Sequence, residues 1–496
     1  MNILNITSRS ITLEMENNSP YYSEYEFDIY VNGKILRKEN RNVFTIYNLE
    51  PNKEYEIKTI DSIKIKTKEE QSIYLSKFNP HRDGIHDDTN FIQSAIMVTP
   101  KNGTLIIENG TYLVTSLYLK SDINIYFEKG AKILASTIRR NYPVHDISTE
   151  IGIWEGNETN NFASTFNFVN VDNVTLFGEG EIDGQALNGD WYENHRVQNI
   201  AWRGHSIFSA NASNINVIGL FIHNTQSWAV HPYKSKNINF YNLTIENTPS
   251  MPTTDGIDPD MCDNVNIKGC NFSVGDDCIA IKSGTYELAK KYRLACSNIT
   301  IENNLMSLGH GGVVFGSESS GGIYNVVVKK CIFKNTDRGL RIKTRRGRGS
   351  IGEIDNIVFD NIIMDNVLTP FVINSYYNMG PAGGHTEYVW TTKKLVVDEY
   401  TPILGKFHFS NMKCKNIEYA AGVFLGLPEM PIKEVSFDNV EFNYKEDAKE
   451  GKPCMMEHPY TMKKCGIYCL NVENLKLNNV KFDGQIGEEY IKEESK

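Results

Sequence analysis

The feature that most constrains this chain is a short unit, asparagine–apolar–polar–apolar, that keeps returning. It reads Asn173-Val174-Thr175-Leu176, Asn214-Ile215-Asn216-Val217, Asn237-Ile238-Asn239-Phe240 and Asn264-Val265-Asn266-Ile267. It continues as Asn298-Ile299-Thr300-Ile301, Asn325-Val326-Val327-Val328 and Asn356-Ile357-Val358-Phe359, with late copies at Glu434-Val435-Ser436-Phe437 and Asn474-Leu475-Lys476-Leu477. Most intervals run from the low twenties to the low thirties of residues, the length of one coil of a parallel β-helix with loops of varying length on one side. Each strand is short and apolar on one face, and Asn or Gly stands where a bend needs positive φ. A leucine-rich repeat would keep Leu at fixed offsets, and an immunoglobulin-like sandwich would show no such recurrence. The expected fold is all-β, a right-handed parallel β-helix.

Composition bounds what the solenoid can do. The chain has 496 residues, 40% of them apolar and 23% charged, which describes a folded globular protein. A net charge of −10 argues against a general nucleic-acid partner, because a polyanion is repelled overall. No apolar run of membrane-spanning length is present, so no membrane partner is expected. Nine cysteines, an odd number scattered over the second half, fit free or buried thiols better than a disulfide framework. Cys465 and Cys469 have no partner pair at zinc-site spacing, and no metal or cofactor is expected. The start, Met1-Asn2-Ile3-Leu4-Asn5-Ile6-Thr7, shows no signal-peptide pattern, so the expected location is cytoplasmic. Oligomeric state is open.

Two units are expected, residues 1–74 and 75–496. In the first, Ile11–Met15, Tyr25–Val31 and Tyr55–Ile60 alternate with period two, and Asn32-Gly33 is a hairpin turn signal. Leu49-Glu50-Pro51-Asn52-Lys53-Glu54-Tyr55 resembles the loop and tyrosine corner of a fibronectin type III domain, without that domain's usual core Trp. A small β-sandwich follows from this likeness; because it holds no cluster of titratable groups, a structural or spacer role is expected, with carbohydrate binding as the lesser alternative. In the second unit, Asp83-Gly84-Ile85-His86-Asp87-Asp88-Thr89 precedes a short amphipathic helix at Phe91–Ile96, with Asp or Thr near its N-cap. Such a helix would cover the open end of the solenoid, whose strands are otherwise unpaired.

Chemistry concentrates on consecutive coils. Asp255 lies 21 residues before Asp276 and 22 before Asp277, about one coil, so the three carboxylates are brought within an inter-strand spacing of about 4.8 Å. Like charges held close separate their pKa values and keep a proton on the site. The next coils bring Gly309-His310-Gly311-Gly312 and then Arg341-Ile342-Lys343. Arg341 and Lys343, two apart in a strand, face one side and suit a carboxylate ligand. Arg338, Arg345, Arg346 and Arg348 extend the basic patch; the last three fit a solvated charged loop as well as a binding surface. Acids for proton transfer beside cations indicate hydrolysis of an acidic polysaccharide.

Thr254-Asp255-Gly256, Gly275-Asp276-Asp277, Gly309-His310-Gly311 and Arg341-Ile342-Lys343 resemble, in order, the four signatures of the polygalacturonase family, glycoside hydrolase family 28. Ile182-Asp183-Gly184-Gln185 and Ser227-Trp228-Ala229-Val230-His231-Pro232 match its flanking segments, and the stretch from about 78 resembles the start of the pectin-degrading β-helix proteins. Thr253 stands where the family's first signature begins with Asn. The resemblance implies Asp276 as general acid, Asp255 and Asp277 holding and deprotonating the attacking water with inversion, and His310 tuning the acid. It implies Arg341 and Lys343 as binders of the galacturonate carboxylate, with Tyr377, or in second place Tyr376, beside them.

The substrate expected is homogalacturonan or its oligosaccharides, cut from one end to release galacturonic acid. The likeness to bacterial exo-acting members with an amino-terminal fibronectin-like domain favours this, and segments 137–165 and 186–203 are candidates for blocking walls. Alternatives are endo cleavage, a digalacturonate product or a rhamnogalacturonan-type hydrolase. Further off lie a calcium-dependent pectate lyase, whose ion the three Asp would hold, and a non-catalytic binding solenoid.

Overall fold

The computed structural model describes residues 1–349, 351–378 and 385–495. In the copies of the repeated unit from Asn173 to Asn356, the asparagine turns a corner in the left-handed region: φ is +56° at Asn173, +55° at Asn214, +56° at Asn237 and Asn264, and +57° at Asn325. Asn tolerates this conformation because its short amide bonds locally. Here the amides also bond from coil to coil. Asn237 Nδ2 donates to Asn214 Oδ1 (3.1 Å), Asn264 to Asn237 (2.9 Å), Asn325 to Asn298 (3.1 Å) and Asn356 to Asn325 (2.8 Å).

The residue after each asparagine points inward and stacks in register. Ile215, Ile238, Val265, Ile299, Val326 and Ile357 form one column, continued by Phe407, Val435 and Leu475. All but Leu475 are buried, and each such side chain contributes roughly 1.5–3 kcal/mol of burial. The late copies of the unit thus occupy the same column as the early ones. These strands belong to a parallel sheet of 24 strands that wraps two faces of the solenoid. The third face is a stack that runs from Leu117–Tyr118 to Val230–Tyr233, then from Asp277–Ile281 to Tyr490–Glu493. Residues 257–260 join its two parts by bridges Val230↔Ile257, Tyr233↔Asp260, Ile257↔Ile279 and Asp260↔Lys282. The architecture is the expected parallel β-helix.

Helix Thr89–Val98 closes the amino-terminal end with Ile92, Ala95 and Ile96 fully buried. Asp88 stands at its N-cap, but the carboxylate serves the preceding loop, accepting the His81 and Arg82 amides at 2.7 and 2.9 Å. All nine cysteines are free thiols, eight of them buried. No helix of the described residues is long and apolar enough to cross a membrane.

The amino-terminal residues form two antiparallel sheets, one of Asn2–Ile6, Ile11–Glu14 and Val43–Ile46, the other of Lys34–Arg41, Tyr22–Val31, Glu54–Lys58 and Ser62–Lys66. Between them lies a separate core that includes Leu13, Phe27, Ile29, Phe44 and Ile57. Asn32 and Gly33 both have positive φ in the hairpin turn, and the Tyr55 hydroxyl accepts the Glu50 amide at 2.8 Å. Ser72–Tyr74 already pairs in parallel with Thr104–Ile106, so the two units meet without a linker.

The sandwich lies along the solenoid. Asn5 reaches Asn216, Arg41 reaches Asn242, Asn42 reaches Asn303, and Asn361 reaches the Asn18 carbonyl. A further tie is charged: Lys268 Nζ lies 3.2 Å from Glu14 and 2.8 Å from Glu302, and Asn303 Nδ2 donates to Glu14 at 2.9 Å. Glu14→Ala leaves the Asn303 donor unmet and is expected to lower stability by about 1–3 kcal/mol, seen as a lower melting temperature with the specific activity of the folded protein unchanged.

Candidate active site

The site is assembled by backbone bonds between neighbouring rungs. The Ala229 amide donates to the Asp255 carbonyl (2.8 Å), Gly256 to the Asp277 carbonyl (3.0 Å) and His310 to the Asp276 carbonyl (2.9 Å). These bonds bring Asp255, Asp276 and Asp277 together so that one oxygen of each lies within 4.8 Å of the others. Asp255 and Asp277 are buried and Asp276 is half-buried. Asp276 accepts the Thr253 amide at 2.9 Å. Thr253 holds φ +59°, a conformation Asn adopts more readily than a β-branched residue. Its hydroxyl accepts from Arg203 at 2.8 Å, a tie that secures the residue in this conformation.

The surroundings drive the carboxyls apart. Burial opposes ionisation of Asp277, yet Lys343 Nζ at 2.7 Å and Arg341 Nη1 at 3.5 Å prevail and hold it down at about 2. Asp255 goes the other way: burial, then the nearby charges of Asp258, Asp276 and Asp277, push it well above the usual carboxylate range against the pull of Lys282. Asp277 is therefore the firmly ionised member, and Asp255 is held toward its protonated form. The resemblance gives these two one shared role; the electrostatics separate them. His310 Nδ1 stands 2.8 Å from Asp337 Oδ2, and this bond, partly offset by burial, raises the imidazole above its ordinary value.

All seven expected site residues, Asp255, Asp276, Asp277, His310, Arg341, Lys343 and Tyr377, line one cleft of about 920 Å³. The Tyr377 ring lies 5.9 Å from Lys343 Nζ. Tyr376 is fully buried and donates its hydroxyl to the Gly426 carbonyl (3.0 Å), away from the cleft. Lys343 serves Asp277, and Arg341 Nη2 lies against Met455 Sδ at 2.8 Å.

Of the rest of the basic patch, Arg338 also lines the cleft, and Arg345, Arg346 and Arg348 are structural. Arg345, Arg346 and Arg348 are buried, which overturns the solvated-loop expectation. Arg346 makes a two-point pair with Glu429 (2.6 and 3.0 Å) and donates to the Tyr388, Thr391 and Lys393 carbonyls. Arg348 pairs with Glu318 at 3.2 Å. Arg338 donates to the Lys452 and Pro453 carbonyls.

The segments expected as walls, 137–165 and 186–203, each supply a tryptophan to the cleft lining, and the ring stack they form with Trp228 is what sequence reasoning missed. Trp154 is stacked between Trp202 (centroids 5.1 Å, interplanar 2°) and Trp228 (5.9 Å, 10°). Trp154 comes from the hairpin Ile153–Trp154/Asn157–Glu158 and Trp202 from the second inserted segment. Glu158 fastens the hairpin to helix Tyr286–Tyr292, accepting from Lys291 at 2.8 Å and from the Tyr292 hydroxyl at 2.5 Å. The available signal was the scarcity of tryptophan: three of the chain's five stand here. Lys282 and Glu318 on the cleft floor were also missed.

Two groups have ligand-like spacing among the described residues. In Glu181, Asp183 and His223, Lys132 Nζ sits 2.7 and 2.9 Å from the two carboxylates, where a cation would lie. The other is the Asp255–Asp276–Asp277 trio itself, with Lys343 on its third member.

Residues 101–426 match the family described as glycosyl hydrolases family 28. A Vitis vinifera protein named "Probable polygalacturonase" is 28% identical over 387 residues, 76% of each chain. A hyperthermoactive exopolygalacturonase of Thermotoga maritima is 25% identical, with a TM-score of 0.66 over 82% of this chain and 92% of that one. The family 28 exopolygalacturonase of Yersinia enterocolitica, 18% identical, shares the fold over 99% of this chain and 96% of its own with a TM-score of 0.74. Relatives named exopolygalacturonase and endo-polygalacturonase are both among those matched. A solenoid carrying the four signatures in one cleft, and a family match over most of its coils, place this chain in glycosyl hydrolases family 28, the polygalacturonases.

Proposed function

We propose that the cleft hydrolyses α-1,4-galacturonosidic bonds of polygalacturonate and its oligosaccharides from one chain end, releasing galacturonic acid. The observation that carries the reading is the divided ionisation of the carboxylates beside a cation pair. Asp276, half-buried at the cleft surface, is the general acid that protonates the leaving oxygen, tuned by His310 through their shared backbone contact. Asp277, ionised, takes the proton of the attacking water, and Asp255 holds that water. Arg341 and Lys343 bind the substrate carboxylate next to the scissile bond, with Tyr377 beside them. No step calls for a cofactor.

Inversion is the outcome that the family resemblance implies. The nearest carboxylate oxygens lie within 4.8 Å, shorter than the roughly 6.5–9.5 Å between carboxyl groups usual for inverting enzymes, so the stereochemistry needs its own measurement. End-specific action is supported by the tryptophan wall, built from both segments expected to block the groove and braced against helix Tyr286–Tyr292. The fibronectin type III-like sandwich acts as a splint along the solenoid, to which its bonds are distributed.

The test is a product time course on oligogalacturonides of defined length, with and without chelator, followed by proton NMR. Galacturonic acid alone at the earliest points, appearing first as the β-anomer and unaffected by chelator, is the expected result. A ladder of sizes would establish endo cleavage, α-anomer first would establish retention, and unsaturated products would establish a lyase. Asp276→Asn and Asp277→Asn are each expected to lower kcat by about 10²–10⁴-fold; near-normal turnover in either would remove that role.

Lys343→Met tests the base. The Asp277 carboxyl, lowered to about 2 by Lys343 and Arg341 against burial, rises when the nearer cation goes, so the acid limb of kcat moves to higher pH. A depressed carboxyl stabilises the fold above its unfolded value of about 3.9 and loses that contribution as pH falls through about 2. The variant therefore also loses stability at neutral pH, read by denaturant unfolding.

A further inference from the structure

One cation on the cleft floor takes no part in the reading above. Lys282 directly follows strand Asp277–Ile281, and its backbone bridges to Asp260 on the preceding rung. Register pairs Ile281 with Phe315, and Gly316 with Lys343. Lys282, Gly316 and Lys343 therefore stand in one column, with the two lysines two rungs apart, about 9.6 Å. The glycine between them puts no side chain into that gap.

The two lysines differ in what the protein gives them. Lys343 Nζ donates to Asp277 at 2.7 Å. Among the described residues the one carboxylate within ion-pair distance of Lys282 Nζ is Glu318, at 3.6 Å, beyond hydrogen-bond length. The Trp228 ring lies 4.4 Å from the same nitrogen. An ammonium carries three donors, and a side chain 3% exposed whose donors go unmet is costly. The cleft it lines is where acceptors can arrive, on the side bounded by Trp228, Trp154 and Trp202.

We propose that Lys282 binds the carboxylate of the chain-terminal uronate, across the scissile bond from Arg341 and Lys343 and against the tryptophan wall. The assignment rests on the galacturonide reading. It makes the enzyme read acid groups on both sides of the bond it cuts, with the terminal unit selected by charge as well as by the wall. Lys282 has a competing structural role. Asp258 and Asp260 beneath it are fully buried, and none of their carboxylate oxygens has a hydrogen-bond partner, so the ammonium also serves as their counter-charge. That role is indifferent to what the terminal sugar carries, and the difference separates the two.

Trigalacturonate is compared with the same trisaccharide methyl-esterified only on its non-reducing terminal carboxyl, by kcat/KM. Wild-type protein is expected to favour the free acid. Lys282→Met is expected to lose roughly 10- to 100-fold on the acid and little on the ester, so the preference collapses, whereas Lys282→Arg keeps it. Lys282→Gln, which retains donors without charge, gives the same reading should Lys282→Met not fold. An equal loss on both substrates, or a preference that survives with only stability reduced, would overturn the assignment and leave Lys282 as a counter-charge. Wild-type protein that cleaves neither trisaccharide would sink the galacturonide reading and this assignment with it, a failure visible without any variant.

Discussion

The structure depends on the registry of one coil upon the next. Parallel rungs place a backbone donor of one coil against an acceptor of its neighbour at a fixed spacing. The three bonds Ala229 to Asp255, Gly256 to Asp277 and His310 to Asp276 are ordinary members of that ladder. Their consequence is chemical. They bring a carboxylate from one coil, two from the next and an imidazole from a third into a single cleft, on a scaffold whose core columns run unbroken from Ile215 to Val435. The corners that make the registry possible are asparagines at positive φ, and their coil-to-coil amide bonds make each corner reinforce the next. A loop-built site would pay ordering entropy for every such contact; here the ladder has already fixed the backbone.

That rigidity is what allows so many like charges below the cleft. Asp255, Asp258, Asp260, Asp277 and Glu318 are all buried, with Lys282, Lys343 and Arg348 among them. Burying a charge costs several kcal/mol unless it is paired, and the pairing is uneven. Asp277 and Glu318 have close cations, and each is lowered to about 2 despite burial. Asp260 has only more distant ones and is raised to about 7, and burial with neighbouring carboxylates pushes Asp255 and Asp258 well above the usual carboxylate range as well. The unevenness leaves Asp277 and Glu318 ionised beside carboxyls held toward their protonated forms, the condition acid–base chemistry requires. A fully paired set would be more stable and chemically idle.

How much of this the sequence disclosed follows from the range of each interaction. Asn173, Asn237 and Asn325 announce themselves because a left-handed corner is a local demand on one residue. Asp255 and Asp276–Asp277 are legible because their separation is one coil. The same reasoning could have reached Lys282, which shares the Lys343 column, but only with the register in hand: sequence spacing does not say which residues Gly316 lies between. Arg346 and Arg348 read as a solvated loop because their partners, Glu429 and Glu318, lie 83 and 30 residues away, in segments with no periodic relation to them. Asp88 shows a milder version, an N-cap residue whose carboxylate is claimed by the loop before the helix.

Segments 137–165 and 186–203 are legible in the sequence as candidate walls, but the ring stack they build with Trp228 is not, because it depends on how two insertions fold against each other. A solenoid groove is open at both ends by construction, since every coil presents the same outward face. Closing one end takes material from outside the repeat, and that material must be held against a flexible substrate. The chain carries two insertions, one bearing Trp154 and the other Trp202; Trp154 stacks on Trp228 of the solenoid itself, and Trp202 stacks on the outer face of Trp154. A ring stack resists displacement only if its ends are fixed. The inner end is fixed by the coil. Glu158, Lys291 and Tyr292 fix the hairpin, and Arg203 packs on Trp154 at 5.2 Å while bonding Thr253. Thr253 in turn holds Asp276 through its amide. The tryptophan stack and Asp276 are thus joined through one arginine and one threonine, so a displacement of the rings bears on the carboxyl that accepts the Thr253 amide.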